Sequence, residues 1–460
     1  MMWHTDSDKP FEKTAHYRIV CGLLSVWWIG FVLRALDSGG VASNLSRATA
    51  STEQGSAANQ MLVFVLFALG LYHLPRAWRV LQSPEARNLI LILLAYVTWS
   101  GSSVLWSEDP SLTIRRYSAF LLMLVGCVGV GAGFYSRTSG GVETIAKHVF
   151  FAAAVTVSIL LPTHMSKLTT ADLLNPKFNL KDDMNIAIMT HPVGYGCLAA
   201  IVLFRIRPIA RWVSMLLGIA VLALLKGRTM LGDVVAASMI LGSRAALSLG
   251  IRKILMSVGV VLTLILADLG TGGRLFISYI LSALDQLEGI LPWLSNGEGL
   301  KNLTSLSGRV PLWNVLYNYV AERPIAGNGF GAFWNAEHLE QVYTLAGWRA
   351  VVAHNGFVDE LLATGIIGLL LFLLFWGYAM VLGLRVSREA GTLDGYLVSS
   401  WLMLFLLFNT MDSVMQTYFQ VPSFISLIGL FTMMRTFSGE AAEWAGAPVG
   451  QPFMLRKVGI

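Results

Sequence analysis

Charge is scarce in this sequence. Asp, Glu, Lys and Arg make up 13% of its 460 residues, against about a quarter in soluble globular domains, which excludes an ordinary water-solvated surface. Cysteine is scarcer still, with Cys21, Cys127 and Cys197 as the whole complement. All three fall inside apolar runs as small core residues, and they build neither a disulfide framework nor a metal knuckle. There is no Walker loop and no dinucleotide-binding glycine fingerprint, since the glycines of "GNGFGAF" (327–333) follow no strand and read as turn chemistry. Internal repeats and low-complexity tracts are absent as well.

What is abundant is apolar side chain, at 55% of residues and a mean hydropathy of +0.63. The expected fold is all-α: a polytopic integral membrane protein of about twelve spans, near 19–36, 60–75, 88–105, 117–135, 145–161, 191–205, 212–226, 229–248, 253–270, 360–384, 396–415 and 418–435. The 60–75 and 191–205 runs are short for a bilayer. The first run follows Lys9, Lys13 and Arg18 and reads as an uncleaved span rather than a signal peptide. Basic loops at 75–87 and 205–211, with Arg244, Arg252 and Lys253, place those connections and both termini in the cytoplasm. The net charge of +6 therefore sets orientation and does not point to nucleic acid.

Four regions follow: a short N-terminal segment (1–18), a membrane domain (19–270), a large non-cytoplasmic loop (271–354), and C-terminal spans (355–435) ahead of a cytoplasmic tail. Within the loop, 274–294 and 309–324 place apolar residues at spacings of three and four, as amphipathic helices lying along the membrane surface do.

Ionisable residues near membrane spans are costly, so those that no loop explains mark candidate function. They are "KGRTMLGD" (Lys226, Arg228, Asp233), "WSEDPSLTIRR" (106–116, with Arg115 and Arg116), "SGRVPLW" (Arg309) and "AHNGFVDE" (His354, Asn355, Asp359, Glu360). In the expected topology all four groups lie on the outer side. Guanidinium groups are persistent bidentate partners for phosphate oxygens, and a histidine titrates near neutrality. Each also has a plainer reading, as an interfacial anchor or a loop hydrogen-bonding residue. The adjacent pairs Asp182–Asp183 and Glu108–Asp109 diverge in direction, so no metal site is expected, and "SEDP" reads as a turn into a helix.

Taken together, "WSEDPSLTIRR", "KGRTML", "SGRVPLWNVLYNYVAERPIAGNGFGAFW" and "AHNGFVDELLATGIIGLL" resemble the O-antigen ligase and polymerase superfamily of bacterial envelope glycan assembly, over about 106–384. The resemblance implies a GT-C-like membrane glycosyltransferase of the inner membrane, acting on the periplasmic side without metal or other cofactor. It implies an undecaprenyl-diphosphate-linked oligosaccharide donor and, as acceptor, a second lipid-linked repeat unit or a glycolipid. A flippase and a chain-length regulator would be partners. Carried over by motif, Arg228 and Arg309 hold the diphosphate and His354 serves the acceptor hydroxyl. Arg116, Arg115, Lys226 and Asn355 are further substrate contacts. Members often carry a carboxylate nine residues after this histidine, where this chain has Ala363, and its acids stand at Asp359 and Glu360 instead. The "HNG" form and Trp334 resemble the exopolysaccharide polymerase branch more than a ligase to lipid A–core. A transporter or lipid flippase remains the alternative of another class, for which interrupted helices and charges at the midplane are the expected marks. A non-catalytic assembly scaffold is the third.

Overall fold

The computed structural model describes residues 14–37, 57–137, 140–165, 186–204, 207–224, 309–347, 350–389, 393–410 and 421–437, with the short stretches 230, 233–235, 237–238 and 413 between them. Every element among them is helical. In chain order the helices are α1 (Ala15–Asp37), α2 (Ala57–Leu81), α3 (Pro84–Ser102), α4 (Pro110–Val128), α5 (Gly141–Met165), α6 (Ile186–Leu203), α7 (Pro208–Leu224), α8 (Arg309–Glu322), α9 (Ala336–Ala346), α10 (Gly356–Glu389), α11 (Leu393–Phe408) and α12 (Val421–Met433). Among the described residues, four helical stretches are long and apolar enough to cross a membrane: Gln60–Leu81, Pro84–Leu105, Pro110–Arg137 and Gly356–Ser387.

Local chemistry sets several helix starts. Ser83 accepts from the Ala86 amide ahead of α3, Asp109 from Leu112 ahead of α4, and Asn335 from His338 ahead of α9. Pro84 and Pro110 occupy first-turn positions, where the missing amide costs nothing. Beyond α4 the chain continues as a π-helical turn, Gly129–Phe134, and a 3-10 turn, Tyr135–Arg137. Gly126, Gly129 and Gly133 bring this stretch onto α2 so closely that a Cβ at any of them would strike α2 at Leu66, Gly70 or His73. Without a hydrophobic force between helices in lipid, such close backbone approach is a main source of cohesion.

The apolar face of α8 is buried against protein: Leu312, Trp313, Leu316 and Val320 share one cluster with α9 and with the first turns of α10. The 309–324 helix is thus present as expected, and its apolar stripe faces these helices. The α9 helix had no counterpart in the sequence reading.

Two other expectations change and one holds. The 60–75 run belongs to a 25-residue helix with Pro75 inside it, and only Gln82 and Ser83 separate α2 from α3, so the basic 75–87 "loop" is mostly helix. Hydropathy sees the lipid-like portion of a helix and misses its polar extension, where Arg76 lies over the Tyr72 ring. Gly327, Gly329 and Gly331 all adopt positive φ, as turn chemistry requires. Finally, α10 is interrupted, although the sequence displayed no clear break: Gly365 sits at φ 67° and ψ −167° inside it. Of the expected spans, 253–270 and nearly all of 229–248 lie outside the described residues, as do the 274–294 helix, the N-terminal 1–13 segment and the tail beyond residue 437.

Candidate functional site

The break at Gly365 frees backbone groups of a membrane-length helix, and such groups need partners. The 323–331 loop supplies most of them. The Leu362 carbonyl accepts from the Asn328 amide at 2.8 Å and from Asn328 Nδ2 at 3.0 Å, and the Ala363 carbonyl accepts from Gly329 N–H at 3.0 Å. On the far side of the break, Ile366 donates to the Pro324 carbonyl at 2.9 Å. Trp99 of α3 donates its indole N–H to the Thr364 carbonyl at 2.9 Å. The interruption is therefore filled by loop backbone, the Asn328 side-chain amide and one indole.

The same loop is fastened to "WSEDPSLTIRR" and to Ser103 just before it. Trp106 donates to the Ala326 carbonyl, and Phe330 N–H to Ser103, both at 2.9 Å. Glu108 accepts from Arg323 at 3.3 Å and faces His338 at 3.6 Å. Arg116 donates to the carbonyls of Gly331 and Trp334. Two sequence blocks more than 200 residues apart are thus one structural unit.

His354 stands just ahead of α10, half-buried, with φ 50°. A left-handed backbone costs a non-glycine residue about 1–2 kcal/mol, so its surroundings must impose it. The Ala353 amide donates to Asp359 at 3.1 Å, the Ala353 carbonyl accepts from Trp313 Nε1 at 2.8 Å, and the Asn355 amide donates to Ser413 Oγ at 3.1 Å. Trp313 lies one turn after Arg309, on the same face of α8. The first turn of α8 is by this bond held against the segment that carries His354. Arg309 itself is half-buried.

The N-terminus of α10 is closed by its own cap. Asn355 N–H goes to Ser413, Gly356 N–H to the Asn409 carbonyl at 2.8 Å, and Phe357 and Val358 N–H to Asn355 Oδ1 at 3.0 and 3.3 Å. The amides that often receive an anion at a helix start are already used. Any phosphate here would be held by side chains.

The expected site residues that are described each have a place. Arg309 opens α8, whose Trp313 is bonded to the Ala353 carbonyl next to His354. Asn355 caps α10, which leaves only its Nδ2 for another partner. Arg116 braces the 331–334 turn through two guanidinium nitrogens, while Arg115 is exposed on the same helix. Arg228 and Lys226, like Asp182 and Asp183, lie outside the described residues. Glu108 and Asp109 do point apart. Asp109 caps α4, and its carboxyl is held below the ordinary aspartate value, first by the Leu112 amide and further by the Ser111 hydroxyl and amide and the Arg115 charge, against a smaller opposing effect of burial. Among the described residues no group of three His, Cys, Asp or Glu side chains forms a metal-holding cluster.

Two residues were named in the sequence without a role and have one here. Asp359, 1% exposed, accepts from Trp334 Nε1 at 2.7 Å as well as from Ala353. Glu360, fully buried, receives the Tyr96 hydroxyl at 3.2 Å and that of Thr364. Their position on the first turns of a long apolar run was the available signal. No protein-family model matches this chain, and no curated protein is similar enough to it to count as a relative.

Proposed function

We propose that this chain is a membrane glycosyltransferase of cell-surface polysaccharide assembly. In this reading it transfers a glycan from undecaprenyl diphosphate to an acceptor sugar hydroxyl without a metal, as an exopolysaccharide or O-antigen polymerase. The observation that carries the reading is the bond from Trp313 to the Ala353 carbonyl. It joins the helix opened by Arg309 to the strained turn of His354, while the "WSEDP" and "GNGFGAFW" blocks form one scaffold behind them. A histidine held in a costly backbone conformation beside an arginine-bearing helix suits a base and a phosphate ligand that must meet one substrate. Arg309, with Arg228, would offset charge on the departing diphosphate, and His354 would receive the proton of the acceptor hydroxyl.

The test is replacement of Arg309 or His354 by alanine in cells lacking the native protein. Long-chain polysaccharide is expected to disappear while membrane levels of the variant stay normal; normal product from both variants would sink the reading. In detergent, with lipid-linked oligosaccharide extracted from the deletion cells, turnover is expected to survive EDTA. Loss of turnover that a divalent ion restores would overturn the metal-free mechanism. Accumulation of single repeat units in the deletion supports the polymerase, and uncapped lipid A–core the ligase.

The break in α10 favours a transporter as the second reading, because interrupted helices with buried carboxylates line many transport sites. Against it, the groups freed by the break are bonded to the 323–331 loop and Trp99, so they do not line a site. Uptake or flipping of a lipid-linked glycan by purified protein in vesicles, with no change in chain length, would support that reading over the enzyme.

A further inference from the structure

Among the described residues His354 is the non-glycine position with a left-handed backbone, and buried polar groups grip the chain on both sides of it. The preceding amide, Ala353 N–H, donates to both oxygens of Asp359 at 3.1 and 3.2 Å. The following amide, Asn355 N–H, donates to Ser413 Oγ at 3.1 Å. Ser413 also hydrogen-bonds the Asp359 carboxylate, and the His354 imidazole lies within electrostatic reach of it. Asp359 is held from a third direction by Trp334 Nε1 at 2.7 Å. The turn at residue 354 is thus gripped by one buried carboxylate five positions later, directly at Ala353 and through Ser413 at Asn355.

We propose that Asp359 is the positioning residue for His354. It fixes the turn that presents the imidazole, and its negative charge stabilises the imidazolium formed when His354 takes a proton. This rests on the reading of His354 as the base. In that step the acceptor hydroxyl gives its proton to a ring nitrogen of His354, and its oxygen forms the new bond to the anomeric carbon. The bond from that carbon to the diphosphate oxygen breaks, and the lipid diphosphate leaves with the electron pair. Asp359 keeps its charge throughout and transfers nothing.

The full-length protein in detergent, supplied with lipid-linked oligosaccharide from deletion cells, tests this. Asp359→Asn keeps shape and an acceptor for Trp334 but removes the charge, and is expected to lower kcat at least about 10-fold, a part of the roughly 100- to 10,000-fold that a general base contributes, with KM for the donor within about twofold. Asp359→Asn with wild-type kcat, or with a change confined to KM, overturns the proposal. Ser413→Ala decides the matter if Asp359→Asn fails to reach the membrane: it keeps the carboxylate and cuts its link to the Asn355 amide. A several-fold fall in kcat without a KM change supports the proposal, and an unchanged kcat overturns it. His354→Ala is run beside them. Full turnover in that variant would remove the function reading and this inference together, whereas an inactive His354→Ala with a fully active Asp359→Asn would remove this inference alone.

Discussion

Trp334 and Asp359 meet through an indole N–H donated to a buried carboxylate oxygen at 2.7 Å. The bond joins the end of the glycine-rich turn to the first turns of α10, and Arg116 braces the same turn from the other side by donating to the Trp334 carbonyl. Trp334→Phe keeps an aromatic ring but deletes the indole donor together with part of the buried ring volume. The cost of an underserved buried carboxylate is about 1–3 kcal/mol, expected as a lower thermal midpoint in detergent. An unchanged midpoint would mean that the bond contributes nothing to holding the turn on α10.

The break in α10 depends on one residue. Gly365 has φ 67°, and a Cβ there would run into the Ile325 carbonyl and the Ala326 amide. Gly365→Ala combines backbone strain with a clash against backbone that cannot rotate away, so a loss of at least about 1–3 kcal/mol is expected. Protease cleavage within 323–331 should rise in parallel, since the same collision loosens the loop. A variant as stable and as resistant as wild type would show that the helix closes its break without the loop.

Asp109 gives an acid-dependent contribution with a defined sign. Its folded-state pKa is depressed, first by the Leu112 amide. The stability it adds is therefore fully present above the ordinary aspartate range, and is lost as pH falls through the lower folded value. Asp109→Ala is expected to cost about 1 kcal/mol near neutrality. Asp109→Asn should keep most of the cap but flatten the acid dependence, which unfolding midpoints measured from neutral to strongly acidic pH would reveal. An Asp109→Asn profile that falls in acid as wild type does would place the dependence elsewhere.

Orientation can be read at α9. Glu340 is exposed, while Cys21, Cys127 and Cys197 are half-buried or buried, so Glu340→Cys offers a distinct thiol. A membrane-impermeant maleimide is expected to label it in intact spheroplasts. Labelling only after lysis would turn the proposed topology over. Asn328, in contrast, is a poor insertion point for a reporter because its side chain and amide both bond the Leu362 carbonyl.

Much of the helical content is legible because apolar runs and cap residues act locally: Asp109 before Pro110 announces a helix start on its own, whereas the start at Ser83 is hidden in the basic 75–87 stretch. The turn character of 327–333 was legible for the same reason, since three glycines at alternate positions promise left-handed backbone. The interruption at Gly365 was not, because glycine within an apolar span is common and its φ is decided by the Pro324 and Ile325 carbonyls, brought in from 40 residues upstream. Charge placement singles out Arg309 and His354, but Trp313, which ties α8 to the Ala353 carbonyl, reads in the sequence only as part of an apolar stripe. Asn355 looked like a ligand beside the histidine, and its capping role depends on how α10 begins. Asp359 was visible as an acid near a span, whereas its hold on Ala353 required the fold.

The loop that fills the α10 break also bears on how the protein is made. A 34-residue helix released alone into lipid would carry unpaired carbonyls at Leu362 and Ala363, each costing several kcal/mol in hydrocarbon. The loop that pairs them precedes α10 in the chain, so ribosomes deliver the plug before the gap. The chain order thus makes the loop available before the carbonyls of α10 need their partners.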